Sequence, residues 1–212
     1  MRGFLITFEG VEGSGKTTQA QLLVDYLRAN DLKVVFSREP GGTEIGERIR
    51  EILLDPGLKG MHGLTELFLY LASRNQHTRE KIIPALQTGQ IVVLDRYADS
   101  SVAYQGYGRE LGARLVSRLN KLATAGLKPD LTILVDLPVM TGQMRKVAER
   151  LDRLEQEGIE FHKRVRAGYL KLARRAAGRC KVVDGAQPAE KVMMDIRFLV
   201  EEFLKRKGVW KI

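Results

Sequence analysis

The chain has 212 residues, 44% of them hydrophobic and 29% charged, which excludes a disordered or collagen-like chain. No apolar run is long enough to cross a membrane, the N-terminal stretch is unlike a secretory signal, and the single Cys180 excludes an internal disulfide, so we expect a cytoplasmic protein. The net charge of +9 suits an anionic ligand, a nucleic acid or a membrane surface, or simply a solvated basic surface.

Five short apolar segments predict buried strands, and long helical patterns separate them. In chain order the strands are predicted at residues 4–9, 33–36, 91–94, 131–135 and 181–183. The first helix is predicted from Lys16 to Arg28, where apolar residues recur at helical spacing. Buried strands that alternate with helices predict an α/β fold, with a five-stranded parallel sheet and helices on both faces. Ligands of such sheets bind at the carboxyl ends of the strands.

Residues 140–175 form a different kind of segment, dense in Arg, Lys and Glu, with little to bury before Ile159. This pattern predicts either solvated helices with charge pairs or a mobile lid. No Pro- or Ser-rich linker divides the chain. We therefore predict a single domain, residues 1–212, with a lid segment at about 140–158.

A phosphate-binding loop is predicted directly after the first strand. It fits the pattern G-x-x-x-x-G-K-[ST] in full, with the residues Gly10, Val11, Glu12, Gly13, Ser14, Gly15, Lys16 and Thr17. Its backbone N–H groups surround phosphate oxygens, Lys16 reaches the β and γ phosphates, and the Thr17 hydroxyl binds Mg²⁺. Asp95, at the end of the third strand, is a second candidate for the metal shell, and Thr18 is a further candidate ligand of ATP.

The loop alone is compatible with a GTPase, an ATPase or a small-molecule kinase. A guanine-recognition motif is missing, because the segment from Asn120 to Ala123 lacks the final acid. Phosphoryl transfer brings two anionic substrates together and needs cations around them. Arg38 and Arg96 follow adjacent predicted strands, which favours a kinase.

Five segments then resemble the thymidylate kinase family, which phosphorylates dTMP with ATP. In order they read FEGVEGSGKTT, REPGGT, ELFLYLASR, DRYADSSVAYQG and LDRLE, and together they extend over nearly the whole chain. The resemblance implies a P-loop kinase fold, a Mg²⁺ cofactor, dTMP and ATP as substrates, a homodimer, and no nucleic-acid or membrane partner. Another nucleoside monophosphate kinase is the alternative within the same superfamily.

The resemblance also implies roles around the monophosphate. Glu12 matches the carboxylate that approaches the 3′-hydroxyl of the deoxyribose. Arg38 and Arg96 match the arginines that bind the dTMP phosphate, with Arg96 extending towards the transferred group, and Arg50 matches a further contact. With Lys16 and the lid residue Arg153, Arg96 and Glu12 complete the predicted catalytic set.

A base pocket is implied in the same way. Tyr70 matches the aromatic ring that stacks on thymine, with Phe68 as the neighbouring alternative. Arg74, four residues after Tyr70 on the same helical face, matches the arginine that reaches O4. Ser101 and Gln105 match residues that hydrogen-bond the thymine ring. Tyr104, between them, is expected to pack against the sugar and disfavour a 2′-hydroxyl.

One subclass of the family carries an arginine at the position of Gly13. Without that arginine, the positive charge for catalysis must come from elsewhere, and the lid is the obvious source. The chain therefore resembles the bacterial type, in which the catalytic arginine comes from the lid, and Arg153 is the best match. Arg145 and Arg150 are companions, but the lid here is less arginine-rich and about one residue short, which leaves their roles open. Gln187 resembles the loop that borders adenine. No histidine is expected to act, because a phosphate oxygen of dTMP is itself the nucleophile.

Two alternatives from other classes remain. A P-loop ATPase that binds nucleic acid would explain the charge of +9, but no aromatic-basic repeat supports it. A non-catalytic nucleotide sensor would not need the intact Lys16, Thr17 and Asp95.

Overall fold

A computed structural model describes residues 2–145 and 151–210. Its sheet has five parallel strands in the order β2-β3-β1-β4-β5. The strands are β1 Leu5–Glu9, β2 Val34–Arg38, β3 Ile91–Asp95, β4 Leu131–Asp136 and β5 Cys180–Asp184. All five predicted strands are confirmed, with ends that differ by no more than two residues. Arg38 belongs to the last position of β2 instead of following it, and it pairs in register with Asp95.

The helices fill the connections between strands. They are α1 Lys16–Ala29, α2 Glu44–Leu54, α3 Gly63–His77, α4 Ile83–Gln87, α5 Ala98–Ser101, α6 Ala113–Ala123, α7 Val139–Arg145, α8 Ile159–Arg175 and α9 Ala189–Arg206. Two π-helical stretches continue helices without a break: Thr78–Ile82 joins α3 to α4, and Val102–Gly108 extends α5 but ends before α6 begins. The hydroxyl of Thr43 caps α2 by accepting from the Gly46 N–H at 3.0 Å.

Apolar side chains pack on both faces of the sheet, as predicted. On one face α1 and α9 cover the strands, and the core there includes Phe8, Leu23 and Ile196. On the other face α8 and the second π-helical stretch contribute a separate core around Tyr104 and Val165. In a parallel sheet that is covered on both faces, the carboxyl edge is the usual place for a ligand. In the described ranges no helix is long and apolar enough to cross a membrane.

The segment predicted as a lid has α7 at one end and α8 just beyond the other. Arg150 lies outside the described residues. The expectation that little is buried before Ile159 is wrong for Arg153 and Leu154, which are only 5% and 6% exposed. Their burial shows that this part of the segment packs against the domain.

Candidate active site

The phosphate-binding loop connects β1 to α1, between the strand and helix that the sequence predicts. Gly13 has φ +70°, and a Cβ at this position would lie 2.2 Å from the carbonyl oxygen of Gly142 in α7. A side chain cannot fit there without moving one of the two backbones. The arginine that a subclass of the family carries at this position is therefore excluded on steric grounds.

Lys16 opens α1 and is nearly buried beneath the loop. Its Nζ lies 3.5 Å from the carbonyl oxygen of Val11 and 3.6 Å from Oε2 of Glu12. This ammonium group thus stands inside the loop, where it would meet phosphate oxygens. Thr18 is exposed on the first turn of α1.

Arg96 stands at the centre of a buried hydrogen-bond network. Its backbone has φ +70°, an uncommon conformation for a residue with a side chain. Its guanidinium donates to the carbonyl oxygen of Gly10 at 3.1 Å, to the hydroxyls of Tyr104 and Tyr169 at 3.1 Å each, and to the carboxylate of Glu12. Burial alone would lower the pKa of Arg96, but Glu12, Tyr104, Tyr169 and Asp95 together outweigh burial, and the pKa is raised. Arg96 therefore remains a cation in a low-dielectric site.

Glu9, which was not among the predicted site residues, supports this network from the side of β1. It is buried at the end of β1 and accepts from the Tyr97 N–H at 2.9 Å, the Ser100 hydroxyl at 2.6 Å and the Tyr169 hydroxyl at 3.0 Å. Burial, and then the charge of Asp99, raise the pKa of Glu9 to about 7. Glu9 could have been identified from the sequence, because it is an acidic residue at the end of a buried strand. Tyr169 is distant in the chain, and no local pattern marks it as a site residue.

A cavity of about 210 Å³ opens at the carboxyl edge of the sheet. It brings together eleven of the predicted site residues, namely Glu12, Lys16, Thr17, Arg38, Arg50, Tyr70, Asp95, Arg96, Ser101, Tyr104 and Gln105. It is also lined by residues that were not predicted, among them Glu39, Ser100, Asp152 and Glu155. The segments that resemble one family thus converge on one cavity.

Two arginines on the wall of this cavity carry positive charge at its entrance. Arg38 is half-exposed and contacts Glu47 at 3.0 Å, and Arg50 donates to the carbonyl oxygen of Pro40 at 2.9 Å. Burial and the neighbouring charge of Arg38 lower the pKa of Arg50. A bound anion between these side chains would relieve both effects.

The side chains predicted around a base lie in two layers. Tyr70 lines the cavity, and burial raises its pKa well above the usual value, which keeps the phenol neutral. Ser101 and Gln105 line the cavity as well. Arg74, by contrast, is fully buried behind the wall, where its guanidinium donates to Glu39, Ser101, Asn120 and the carbonyl oxygen of Tyr97.

Arg74 is predicted to reach O4 of thymine, but in this structure its side chain lies behind the cavity wall. Its Nε lies 2.7 Å from Oε2 of the buried Glu39, and that ion pair holds the side chain in the second layer. From there Arg74 acts on the cavity through Ser101, whose hydroxyl oxygen lies 2.7 Å from its Nη1.

The two described lid arginines lie in different places. Arg153 does not line the cavity: its Nη1 contacts Oε2 of Glu66 at 2.7 Å, and its Nε donates to the carbonyl oxygen of Leu53 at 3.0 Å. The physical reason is the fully buried carboxylate of Glu66, which needs a cationic partner. Arg145 instead donates to the carbonyl oxygens of Gly13 and Gly185, both at 3.2 Å.

Arg145 therefore lies beside the phosphate loop in this structure, on the side of the β5–α9 connection. That connection includes Gln187, whose Nε2 donates to Asp195 at 3.2 Å.

The hydroxyl of Thr17 and the carboxylate of Asp95 lie next to the loop and are suitable ligands for a divalent cation. The Thr17 hydroxyl donates to Oδ2 of Asp95 at 2.5 Å, and Oδ1 of Asp95 is buried with no hydrogen-bond partner among residues 2–145 and 151–210. Hard cations such as Mg²⁺ take hydroxyl and carboxylate oxygens of this kind together with phosphate oxygens and water.

Comparison with known proteins agrees with this geometry. A family model described as thymidylate kinase matches residues 8–196. The chain is 46% identical over 202 residues to a thymidylate kinase of Symbiobacterium thermophilum, covering 95% of this chain and 94% of the relative. It is 47% identical over 207 residues to one of a Sulfurihydrogenibium species, covering 98% and 99%. A crystal structure of thymidylate kinase from Ehrlichia chaffeensis superposes with a TM-score of 0.78 at 34% identity, covering 95% of this chain and 99% of that one. The chain belongs to the thymidylate kinase family.

Proposed function

We propose that this protein transfers the γ-phosphoryl group of ATP to dTMP, giving dTDP and ADP. The observation that carries the proposal is the single cavity in which Lys16 of the phosphate loop, the arginines Arg38, Arg50 and Arg96, and the aromatic Tyr70 meet. Such a cavity offers cations for two phosphate groups and one ring for a base. We place the reaction in the cytoplasm, within a single domain, and expect neither nucleic acid nor a membrane as a partner.

The residues act by position and charge. The loop residues and Lys16 hold the triphosphate, while Arg38, Arg50 and Arg96 hold the monophosphate whose oxygen attacks the γ-phosphorus. Glu12, which contacts Arg96, is proposed to accept a hydrogen bond from the 3′-hydroxyl of the sugar. No side chain needs to remove a proton, because the attacking phosphate oxygen is already anionic, so alignment and electrostatic stabilisation supply the catalysis.

Thr17 and Asp95 are the residues that would hold Mg²⁺. When bound there, the ion neutralises charge on the phosphates of ATP. Oδ1 of Asp95, which is buried and has no hydrogen-bond partner within the described part of the chain, supports this assignment.

The segment at about 140–158 is proposed as the lid, of the type that supplies an arginine to the transferred group. Arg153 remains the proposed lid arginine, and it must exchange its contact with Glu66 for the phosphates when the lid closes. Arg145 is proposed to contact ATP, which its position beside Gly13 supports. Gln187 is proposed to border the adenine.

The first test is a coupled assay of ADP formation with ATP, Mg²⁺ and one monophosphate at a time. We expect rapid turnover with dTMP, slower turnover with dUMP, and almost none with dCMP, AMP or GMP. Equal turnover with several monophosphates would retain the kinase but remove the thymine pocket. ATP hydrolysis that appears only on addition of DNA would contradict the proposed function.

A homodimer is also proposed. Three neighbouring helices, of which α3 packs against both α2 and α6, carry exposed large apolar side chains. These are Ile45, Ile52, Leu64, Phe68, Leu115 and Leu122. Exposed apolar groups on adjacent helices are typical of a protein interface.

A further inference from the structure

Glu66 is a fully buried carboxylate in the first turn of α3, and it lies behind the cavity rather than on its wall. Three side chains donate to it. Gln105 Nε2 lies at 2.9 Å, Arg109 donates through Nη2 at 3.0 Å and Nε at 3.3 Å, and Arg153 Nη1 lies at 2.7 Å. Arg109 contacts this carboxylate through two nitrogens, and an ionised carboxylate can only accept hydrogen bonds.

This acceptor determines which end of the Gln105 amide faces the base. An amide has one donor end and one acceptor end, and only the NH₂ end can face a carboxylate. Gln105 lines the cavity, whereas Glu66 does not, so the carbonyl end is left for the cavity side. Oε1 of Gln105 is indeed buried without a hydrogen-bond partner in the part of the chain that the structure describes. A buried polar atom of this kind needs a hydrogen-bond donor, and a ligand in the cavity can supply one.

We propose that Glu66 is a positioning residue that makes the pocket selective for pyrimidines with a proton on N3. By holding the NH₂ group of Gln105, it presents Oε1 to the ring edge, where thymine and uracil offer an N3–H donor. Cytosine has a lone pair on N3, so the same oxygen repels it. This inference rests on the proposed function, and it assigns pyrimidine selectivity to a residue that does not touch the substrate.

The test is Glu66→Gln. A glutamine at position 66 can donate as well as accept, so the Gln105 amide can turn over and present its NH₂ group to the cavity. We expect the preference for dTMP over dCMP, measured both as Kd by calorimetry and as kcat/KM, to fall by about 10- to 100-fold. The preference for dTMP over dUMP should stay within about 3-fold, because both bases carry N3–H and differ only in a methyl group.

Glu157→Gln is the matched control. Glu157 lies 2.6 Å from the same Arg109, but Gln105 bonds to Glu66 instead. The control removes one negative charge from this cluster and should leave the dTMP to dCMP preference unchanged. A merely structural role of Glu66 would lower affinity for all three monophosphates in parallel, and that result would overturn the proposal.

A ligand-side measurement avoids any folding defect of the variant. The 5-methyl derivative of dCMP keeps the methyl group and the ring size of dTMP but has a lone pair on N3 and an amino group on C4, and the unaltered protein should bind it about 10- to 100-fold more weakly than dTMP. Equal affinity for dTMP and the analogue would overturn the inference while leaving the kinase intact. Failure of the unaltered protein to bind or phosphorylate dTMP would instead contradict the proposed function itself.

Discussion

At the scale of single residues, the site is organised by buried acids rather than by its arginines alone. Glu9 orients Ser100 and Tyr169, which contact Arg96, and Glu12 contacts Arg96 directly. Arg96 thus has a fixed direction before any substrate arrives. Fixed cations cost little reorganisation when charge develops during the reaction.

Glu9 makes the stability of the protein depend on pH. Its folded-state pKa of about 7 lies above the ordinary value of 4.5, so between these values the folded state binds more protons than the unfolded state. The free energy of unfolding should therefore fall as pH rises from about 4.5 to 7, by on the order of 3 kcal/mol from this group.

Glu9→Gln resembles the protonated acid and should remove that dependence. We expect the variant to be favoured over the unaltered protein by more at pH 8 than at pH 5, as measured by urea unfolding at the two values. A difference in stability that does not change between pH 5 and pH 8 would show that Glu9 titrates normally.

At the scale of elements, short apolar runs in the sequence were the basis for predicting the strands. The strands were found from sequence because a buried parallel strand is a short uninterrupted apolar segment, as at Ile91–Asp95. The loop was found because its glycines and Lys16 have a fixed spacing. The π-helical stretch Val102–Gly108 gave no local signal, and neither did the burial of Arg153, which depends on an acid 87 positions earlier in the numbering, Glu66. Side-chain partners distant in the chain are set by packing, which local patterns do not report.

The lid segment allows a direct test of its two described arginines. Arg153→Ala should lower kcat by about 10²- to 10⁴-fold with little change in the Kd for dTMP, because it would act mainly on the transition state. Arg145→Ala, beside the loop, should mainly raise the KM for ATP. Steady-state kinetics with each substrate varied would separate them, and an equal loss of kcat from Arg145→Ala alone would move the catalytic assignment to Arg145.

At the scale of the whole molecule, α2, α3 and α6 share an exposed apolar face, which a monomer would leave in contact with water. Phe68 is 53% exposed near its centre on α3. We expect Phe68→Glu to weaken self-association by at least about 100-fold, since it places an unpaired charge in an apolar interface. Sedimentation velocity at micromolar concentration would measure the change.

Phe198→Glu provides the control for this experiment. Phe198 is 67% exposed on α9, a helix outside the three that carry the proposed interface. Its variant should self-associate like the unaltered protein. If the unaltered protein sediments as a monomer, or if both variants dissociate alike, the proposed interface is wrong.

The crowding of Arg38 and Arg50 has a consequence for the protonation of the ligand. A phosphate monoester changes between one and two negative charges near pH 6. Because the pKa of Arg50 is already lowered by burial and by Arg38, the dianion gains more from this pocket than the monoanion does. Below neutral pH, binding of the monophosphate therefore expels a proton to solvent, and the affinity for dTMP is linked to pH through the phosphate itself.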